Sequence, residues 1–241
     1  MIWLLHGNFG SPSDWRAVAN LLEKRGHECR SLNLWKYLEC CPKSLTEMGG
    51  LLAAEIAALD PYPYLCGYSL GGRLAIHALL HDPSLWKGIV FIGTHPGLST
   101  EEERESRRAF DAEWGVKCLE MPWAELLREW DAQAVFTPSC SEREGEDSRL
   151  KLYPWRRSIA RAFIDWSLGS QQDCRNALKE CRVPTLWIAG WNDSKFAELA
   201  RSVAGDHIHL VAGSGHRVPM EAPEALAELI DSFTLPGCHG R

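Results

Sequence analysis

The chain has 241 residues, 45% hydrophobic and 24% charged, with a formal net charge of −6. That length and apolar content fit one large core carrying an insertion better than two independent domains, and the acidic balance argues against a nucleic-acid or anionic-membrane surface. Charges interrupt every apolar stretch short of the roughly 18 residues of a membrane helix, and no basic segment, apolar run and cleavage site open the chain, so a soluble, cytoplasmic protein is expected. The nine cysteines form no C-x-x-C pair, which reads as reduced thiols; no role follows for the adjacent Cys40 and Cys41.

In chain order, Ile2 to Leu5 reads as a strand running into His6-Gly7-Asn8-Phe9-Gly10. A helix follows from near Ser13 to Lys24 with Trp15, Val18, Leu21 and Leu22 on one side, then a strand from Arg30 to Leu34. Leu45 to Leu59 is an amphipathic helix stopped by Pro61-Tyr62-Pro63. An apolar strand from Tyr64 ends in Gly67-Tyr68-Ser69-Leu70-Gly71, and a helix begins at Leu70 without a gap. Strand, sharp turn and helix around G-x-S-x-G make a nucleophile elbow, with the Ser69 hydroxyl exposed above the sheet and helix N–H groups aimed at it.

Gly88 to Gly93 is a buried strand of the parallel-sheet type. Between His95 and about Cys181 the strand signal stops, and helices are expected over Thr100 to Gly115, Pro122 to Ala134 and Leu152 to Ser167. Ser139 to Asp147 reads as a mobile loop within them. Alternation returns with a strand at Thr185 to Ala189, a helix at Ser194 to Ala204, a strand at His207 to Val211 and a helix at Ala222 to Phe233. The pattern predicts an α/β fold, residues 1–93 and 182–241 forming the core and residues 94–181 a helical cap inserted after the strand ending near Gly93. Such an insertion covers the edge where open α/β sheets bind ligands.

An elbow serine needs an acid and a histidine downstream, in that order. Asp193 follows the strand ending at Ala189, and His216 the strand ending at Val211. The two can converge on Ser69, the carboxylate fixing the imidazole tautomer and the imidazole accepting the serine proton. Asp193 also suits an N-cap for the helix from Ser194. Backbone N–H groups of Leu70 and of Phe9 or Asn8 can form an oxyanion hole, with Phe9 favoured and the side chain of His6 bracing its loop. No H-E-x-x-H, C-x-x-C pair or phosphate loop occurs, so neither a metal nor an organic cofactor is expected.

His6-Gly7, Gly67 to Gly71, Asp193 and His216 together resemble the α/β-hydrolase superfamily over nearly the whole chain. That implies a mostly parallel sheet flanked by helices, here with a trimmed N-terminal edge because the usual preceding strands are lacking. Gly71-Gly72-Arg73, Thr94-His95-Pro96-Gly97-Leu98 with Glu102, Glu103, Arg104 and Arg107, Trp130 with Val135-Phe136, and Asp193-Ser194-Lys195-Phe196 are similar to the 2-succinyl-6-hydroxy-2,4-cyclohexadiene-1-carboxylate synthases of menaquinone biosynthesis. This resemblance implies a carbon–oxygen lyase that eliminates pyruvate, using the triad as a base without an acyl-enzyme. The alternative on the same triad is a carboxylic-ester hydrolase.

A polycarboxylate substrate needs cations, and arginine grips a carboxylate at two points. Arg73 lies one helical turn beyond Ser69, and Arg107 matches the carboxylate binder of the family motif. Trp130 matches its pocket aromatic, with Tyr68 and His6 completing the expected substrate-binding set. The family's third cation is left among Arg156, Arg157 and Lys151. W-K-Y-L-E-C-C-P-K after Leu34 replaces the family's usual D-x-P-G-x-G loop.

Overall fold

A computed structural model of the chain describes residues 1–136 and 147–235. The elements are β1 (Ile2–Leu5), α1 (Arg16–Lys24), β2 (Cys29–Leu32), α2 (Leu45–Ala57), β3 (Tyr64–Tyr68), α3 (Leu70–His81) and β4 (Gly88–Ile92). Then come α4 (Glu101–Glu120), α5 (Trp123–Asp131), α6 (Arg156–Asp165), α7 (Arg175–Glu180), β5 (Thr185–Gly190), α8 (Ser194–Ala204), β6 (Ile208–Val211), α9 (Val218–Glu221) and α10 (Pro223–Thr234). The strands form one sheet in the order β2-β1-β3-β4-β5-β6, with every neighbouring pair parallel. Every C-terminal strand end therefore points to the same edge.

Strand side chains alternate between two buried layers, which is why the strands read as unbroken apolar runs. Trp3, Leu5, Leu65, Ile89, Phe91 and Trp187 face the layer packed by α2 and α3. Ile2, Leu4, Cys66, Val90, Ile92 and Ile188 face the layer packed by Val18 and Leu22 of α1 and Leu226 and Ile230 of α10.

Between β4 and β5 the described residues contribute helices and no strand. Thr100 and Glu103 form a capping box that starts α4. The helix runs past the expected end at Gly115, because Trp114 and Cys118 on either side of it are buried where α4 packs against α6. The helix expected from Leu152 starts at Arg156 instead. Pro154, which has no N–H to donate, keeps 148–155 in tighter 3-10 turns. Phe9, in the loop after β1, reaches into this region: its ring meets Trp123, Trp130 and Phe163 at 5.7, 4.8 and 5.8 Å and joins their aromatic cluster to the core. The charged run expected as a mobile loop, Ser139 to Asp147, lies outside the described residues except for Asp147. Among the described residues, no helix is long and apolar enough to cross a membrane.

Candidate active site

Ser69 stands between β3 and α3 with φ 53° and ψ −110°, a conformation a residue with a Cβ rarely adopts. The turn closes because Gly67 has no side chain: a Cβ there would lie 2.5 Å from the Gly71 carbonyl oxygen. The Ser69 N–H donates to the Ile92 carbonyl at 2.9 Å, which fixes the elbow to β4.

The loops after β5 and β6 bring Asp193 and His216 to the same edge. His216 Nδ1 lies 2.7 Å from Asp193 Oδ2, and His216 Nε2 lies 3.2 Å from Ser69 Oγ. A carboxylate can only accept, so Nδ1 carries the proton and Nε2 is free to accept from the serine. Asp193 performs the cap as well, its Oδ1 accepting from the Phe196 N–H at 3.4 Å. Tyr68, Phe136 and Phe196 surround the imidazole with ring centroids at 5.5, 5.8 and 4.3 Å, shielding it from water. Gly93, at φ 52°, makes room for it, since a Cβ would stand 2.9 Å from His216 Cε1.

Phe9 also has a positive φ, 49°, in the turn that Gly10 N–H and Gly7 carbonyl close at 3.1 Å. Neither the Phe9 nor the Leu70 N–H has an acceptor among the described residues, as a site awaiting an oxyanion requires. His6 needs correcting as a substrate-binding side chain. It is fully buried, its Nε2 accepts from the Leu34 N–H at 3.1 Å, and its Nδ1 donates to the Gly7 carbonyl at 2.9 Å, leaving no ring nitrogen for a ligand. Burial lowers its pKa to about 4, so it braces the loop as a neutral group.

Two cavities meet at Asn8 and Ser69. The outer one, about 700 Å³, is lined by Phe9, Tyr68, Trp130 and Phe136 together with Arg16, Arg149 and Arg217. Burial holds the Tyr68 phenol in its protonated form, well above its ordinary range. The inner one, about 60 Å³, is lined by Leu70, Arg73, His95, Arg107, Lys195 and Phe196.

Arg73 reaches the inner cavity from the first turn of α3 and is 7% exposed. Its guanidinium donates to the Trp166 carbonyl at 2.8 Å and to Gln171 Oε1 at 3.5 Å, with no carboxylate in ion-pairing distance among the described residues. Burial, then the charge of Arg107, lowers its pKa to about 9. Arg107 Nε donates to Asp111 at 2.8 Å. That carboxylate is buried and also accepts from Ser167 Oγ at 2.8 Å and the Leu168 N–H at 3.1 Å, which fixes Arg107 toward the cavity. The positive field registers on His95, whose pKa falls to about 3 through burial, Arg73, Lys195, Arg107 and Arg175.

The sequence reading missed Asp111, Gln171 and Lys195; only the last carries a signal, two residues after Asp193. Arg156, Arg157 and Lys151, the three candidates for the third cation, line neither of these two cavities. Arg156 turns to the Cys118 carbonyl at 2.8 Å, because the Pro154 turns set the start of α6 against the end of α4. The exposed Cys40 and Cys41 are unbridged and also line neither cavity. Among the described residues no three His, Cys, Asp or Glu side chains group as metal ligands.

A model described as the alpha/beta hydrolase family matches residues 4–229. A 2-succinyl-6-hydroxy-2,4-cyclohexadiene-1-carboxylate synthase from Salmonella arizonae is 30% identical over 245 residues, covering 97% of this chain and 92% of the relative. The synthase of that name from Salmonella newport is 32% identical over 239 residues, covering 95% and 90%. Among solved structures, MenH from S. aureus superposes with a TM-score of 0.82 at 21% identity, covering 96% of this chain and 92% of that one. A thermophilic esterase from Thermogutta terrifontis, malate bound, superposes with a TM-score of 0.73 at 20% identity, covering 96% and 88%.

Proposed function

From the premise that this chain belongs to the alpha/beta hydrolase family and to its 2-succinyl-6-hydroxy-2,4-cyclohexadiene-1-carboxylate synthases, we propose that it is a carbon–oxygen lyase of menaquinone biosynthesis. It eliminates pyruvate from a succinyl-enolpyruvyl-hydroxycyclohexene-carboxylate, with Ser69, His216 and Asp193 as its proton-abstracting unit. The observation that carries this reading is the inner cavity beside Ser69. There Arg73, buried and without a carboxylate partner among the described residues, and Arg107, aimed by Asp111, attract a polycarboxylate that an acidic protein otherwise repels.

The chemistry follows from the geometry. His216 Nε2 takes the Ser69 proton, Asp193 offsets the imidazolium charge, and the serine oxygen removes a proton from the ring carbon beside the succinyl ketone. Negative charge moving onto that ketone oxygen is met by the Phe9 and Leu70 N–H groups. The electron pair forms the second ring double bond as the ring C–O bond to the enolpyruvyl group breaks. No bond forms between Ser69 and the substrate.

The carboxylic-ester hydrolase alternative uses the same three residues with Ser69 as a nucleophile. Mixing the protein with the succinyl-cyclohexene substrate and following it by intact-protein mass spectrometry separates the two. The lyase releases pyruvate with no mass added to the protein, whereas a stoichiometric adduct on Ser69, or no pyruvate, overturns the lyase.

A further inference from the structure

His95, in the Thr94-His95-Pro96-Gly97-Leu98 run, lines the inner cavity and has no part in the chemistry above. Its ring is fixed: Nδ1 accepts from the Gly97 N–H at 3.1 Å, the ring stands edge-on to Phe196 at 6.4 Å, and its carbonyl accepts from Gln171 Nε2 at 3.0 Å. A backbone N–H can only donate, so Nδ1 is the bare nitrogen and the ring proton sits on Nε2. That Nε2 has no acceptor among the described residues, and it is not one of the sealed, unpaired polar atoms, as His77 Nε2 is. A donor with neither a protein partner nor a sealed surrounding opens onto the cavity its residue lines.

Lys195 lines the same cavity from the first turn of α8, with no carboxylate within ion-pairing distance among the described residues. Its Nζ lies 6.0 Å from the Phe196 ring. About 60 Å³ is too small for a substituted cyclohexene and of the right size for a three-carbon acid. We propose that this inner cavity seats the departing enolpyruvyl group, with His95 donating its Nε2–H to the leaving group's oxygen and Lys195 attracting its carboxylate.

This inference rests on the lyase reading. The ring C–H pair becomes the new ring double bond, and the C–O pair leaves on the enolpyruvate oxygen. The enolate then takes a proton, the one held by His216, on its methylene carbon and becomes pyruvate. A neutral imidazole suits the leaving oxygen because it strengthens its hydrogen bond as charge develops without surrendering a proton of its own.

The test compares His95→Leu, His95→Gln and Lys195→Met in steady-state kinetics, with pyruvate as product inhibitor, and in saturation-transfer NMR of pyruvate without turnover. His95→Leu should lower kcat about tenfold or more with KM within about threefold, because the bond matures in the transition state. His95→Gln, which keeps a donor, should recover most of that loss. Lys195→Met, at an exposed position that leaves folding intact, should weaken pyruvate inhibition by about threefold or more. Folded His95→Leu with unchanged kcat and pyruvate affinity, or His95→Gln no better than His95→Leu, overturns the proposal. If the unaltered protein releases no pyruvate, the lyase reading has failed. The NMR arm still reports on the seat: loss of pyruvate binding in His95→Leu and Lys195→Met supports it, and no pyruvate signal in the unaltered protein removes it.

Discussion

The inner and outer cavities share Asn8 and Ser69 as a wall, yet Arg149 and Arg217 of the outer one are held differently from Arg73 of the inner one. In the outer cavity Arg149 is clasped between two carboxylates, its Nη1 and Nη2 at 2.9 and 2.5 Å from Asp131 and its Nε at 2.9 Å from Asp147. Arg217 pairs with the same Asp131 and lies over the Phe136 ring at 4.1 Å. In the inner cavity Arg73 holds, among the described residues, only a carbonyl and an amide, and Arg107 shares one carboxylate. Burial, joined by the field this leaves, shifts the groups inside it: Arg73 falls to about 9 and His95 to about 3. A guanidinium already saturated by carboxylates has little left for a ligand, whereas one held by neutral groups keeps its attraction.

Ser69, in the shared wall, and His216 hydrogen-bonded to it should give the largest effect. Ser69→Ala and His216→Ala are each expected to lower turnover by about a thousandfold or more while the protein stays folded, since the three residues act as a unit. Circular dichroism with pyruvate-release kinetics checks this, and a folded variant near full activity removes the triad.

Next comes the inner cavity. Arg73→Ala and Arg107→Ala should each cost roughly 2 to 4 kcal/mol in kcat/KM, because a substrate carboxylate is left without its partner. Arg107→Lys should recover part of the loss, a point charge lacking the two-pronged grip. Losses below about threefold in both alanine variants would make these arginines structural and sink the polycarboxylate assignment.

What the sequence makes legible divides along the same line. Ser69, Asp193 and His216 follow strand ends by short loops in the chain order serine, acid, histidine, and that pattern predicts that they meet. Arg73 follows from helical spacing after Ser69. The rest of the inner lining depends on which turns of distant helices face each other. Asp111 aims Arg107 from one turn along α4 only because α4 packs where Ser167 and Leu168 anchor that carboxylate, and no local pattern encodes this. His6 fails as a contact for the converse reason. Its neighbours in sequence suggest a loop at the site, but the Leu34 N–H, 28 residues away, occupies its ring.

A third, smaller effect reads the burial of His95 together with the positive field around it. His95 has a folded-state pKa of about 3 against an ordinary value of 6.5, so below pH 6.5 the unfolded chain binds a proton that the folded one refuses. The stability this neutral state retains is full above pH 6.5 and declines as the pH falls toward 3. Between pH 7.5 and pH 5 the decline should be about 2 kcal/mol for His95 alone. Urea unfolding at the two pH values should show the difference shrink by about that amount in His95→Gln. An undiminished pH difference would mean that His95 titrates normally and that neither its burial nor the charges around it hold it neutral.

In the outer cavity, Arg149→Met should lower kcat/KM by about tenfold at most, mainly through KM, because its carboxylate partners already take most of its charge. A loss matching that of Arg73→Ala would erase the contrast between the two cavities.

Arg156 supplies the smallest effect, because it lies outside both cavities. Its Nε donates to the Cys118 carbonyl at 2.8 Å, its Nη2 to the Met121 carbonyl at 3.4 Å and its Nη1 to the Tyr153 hydroxyl at 3.2 Å. These bonds tie the start of α6 to the end of α4, where the last helical carbonyls need donors and welcome a cation. Arg156→Ala should therefore cost about 1 kcal/mol of stability, seen in thermal unfolding, while kcat/KM changes by less than about twofold. Tethering the two helices is a packing role, and Arg156 lines neither cavity. A tenfold loss of kcat/KM with unchanged thermal stability would show instead that α6 swings Arg156 into the site when substrate binds, and the division of cations between two cavities would no longer describe the working enzyme.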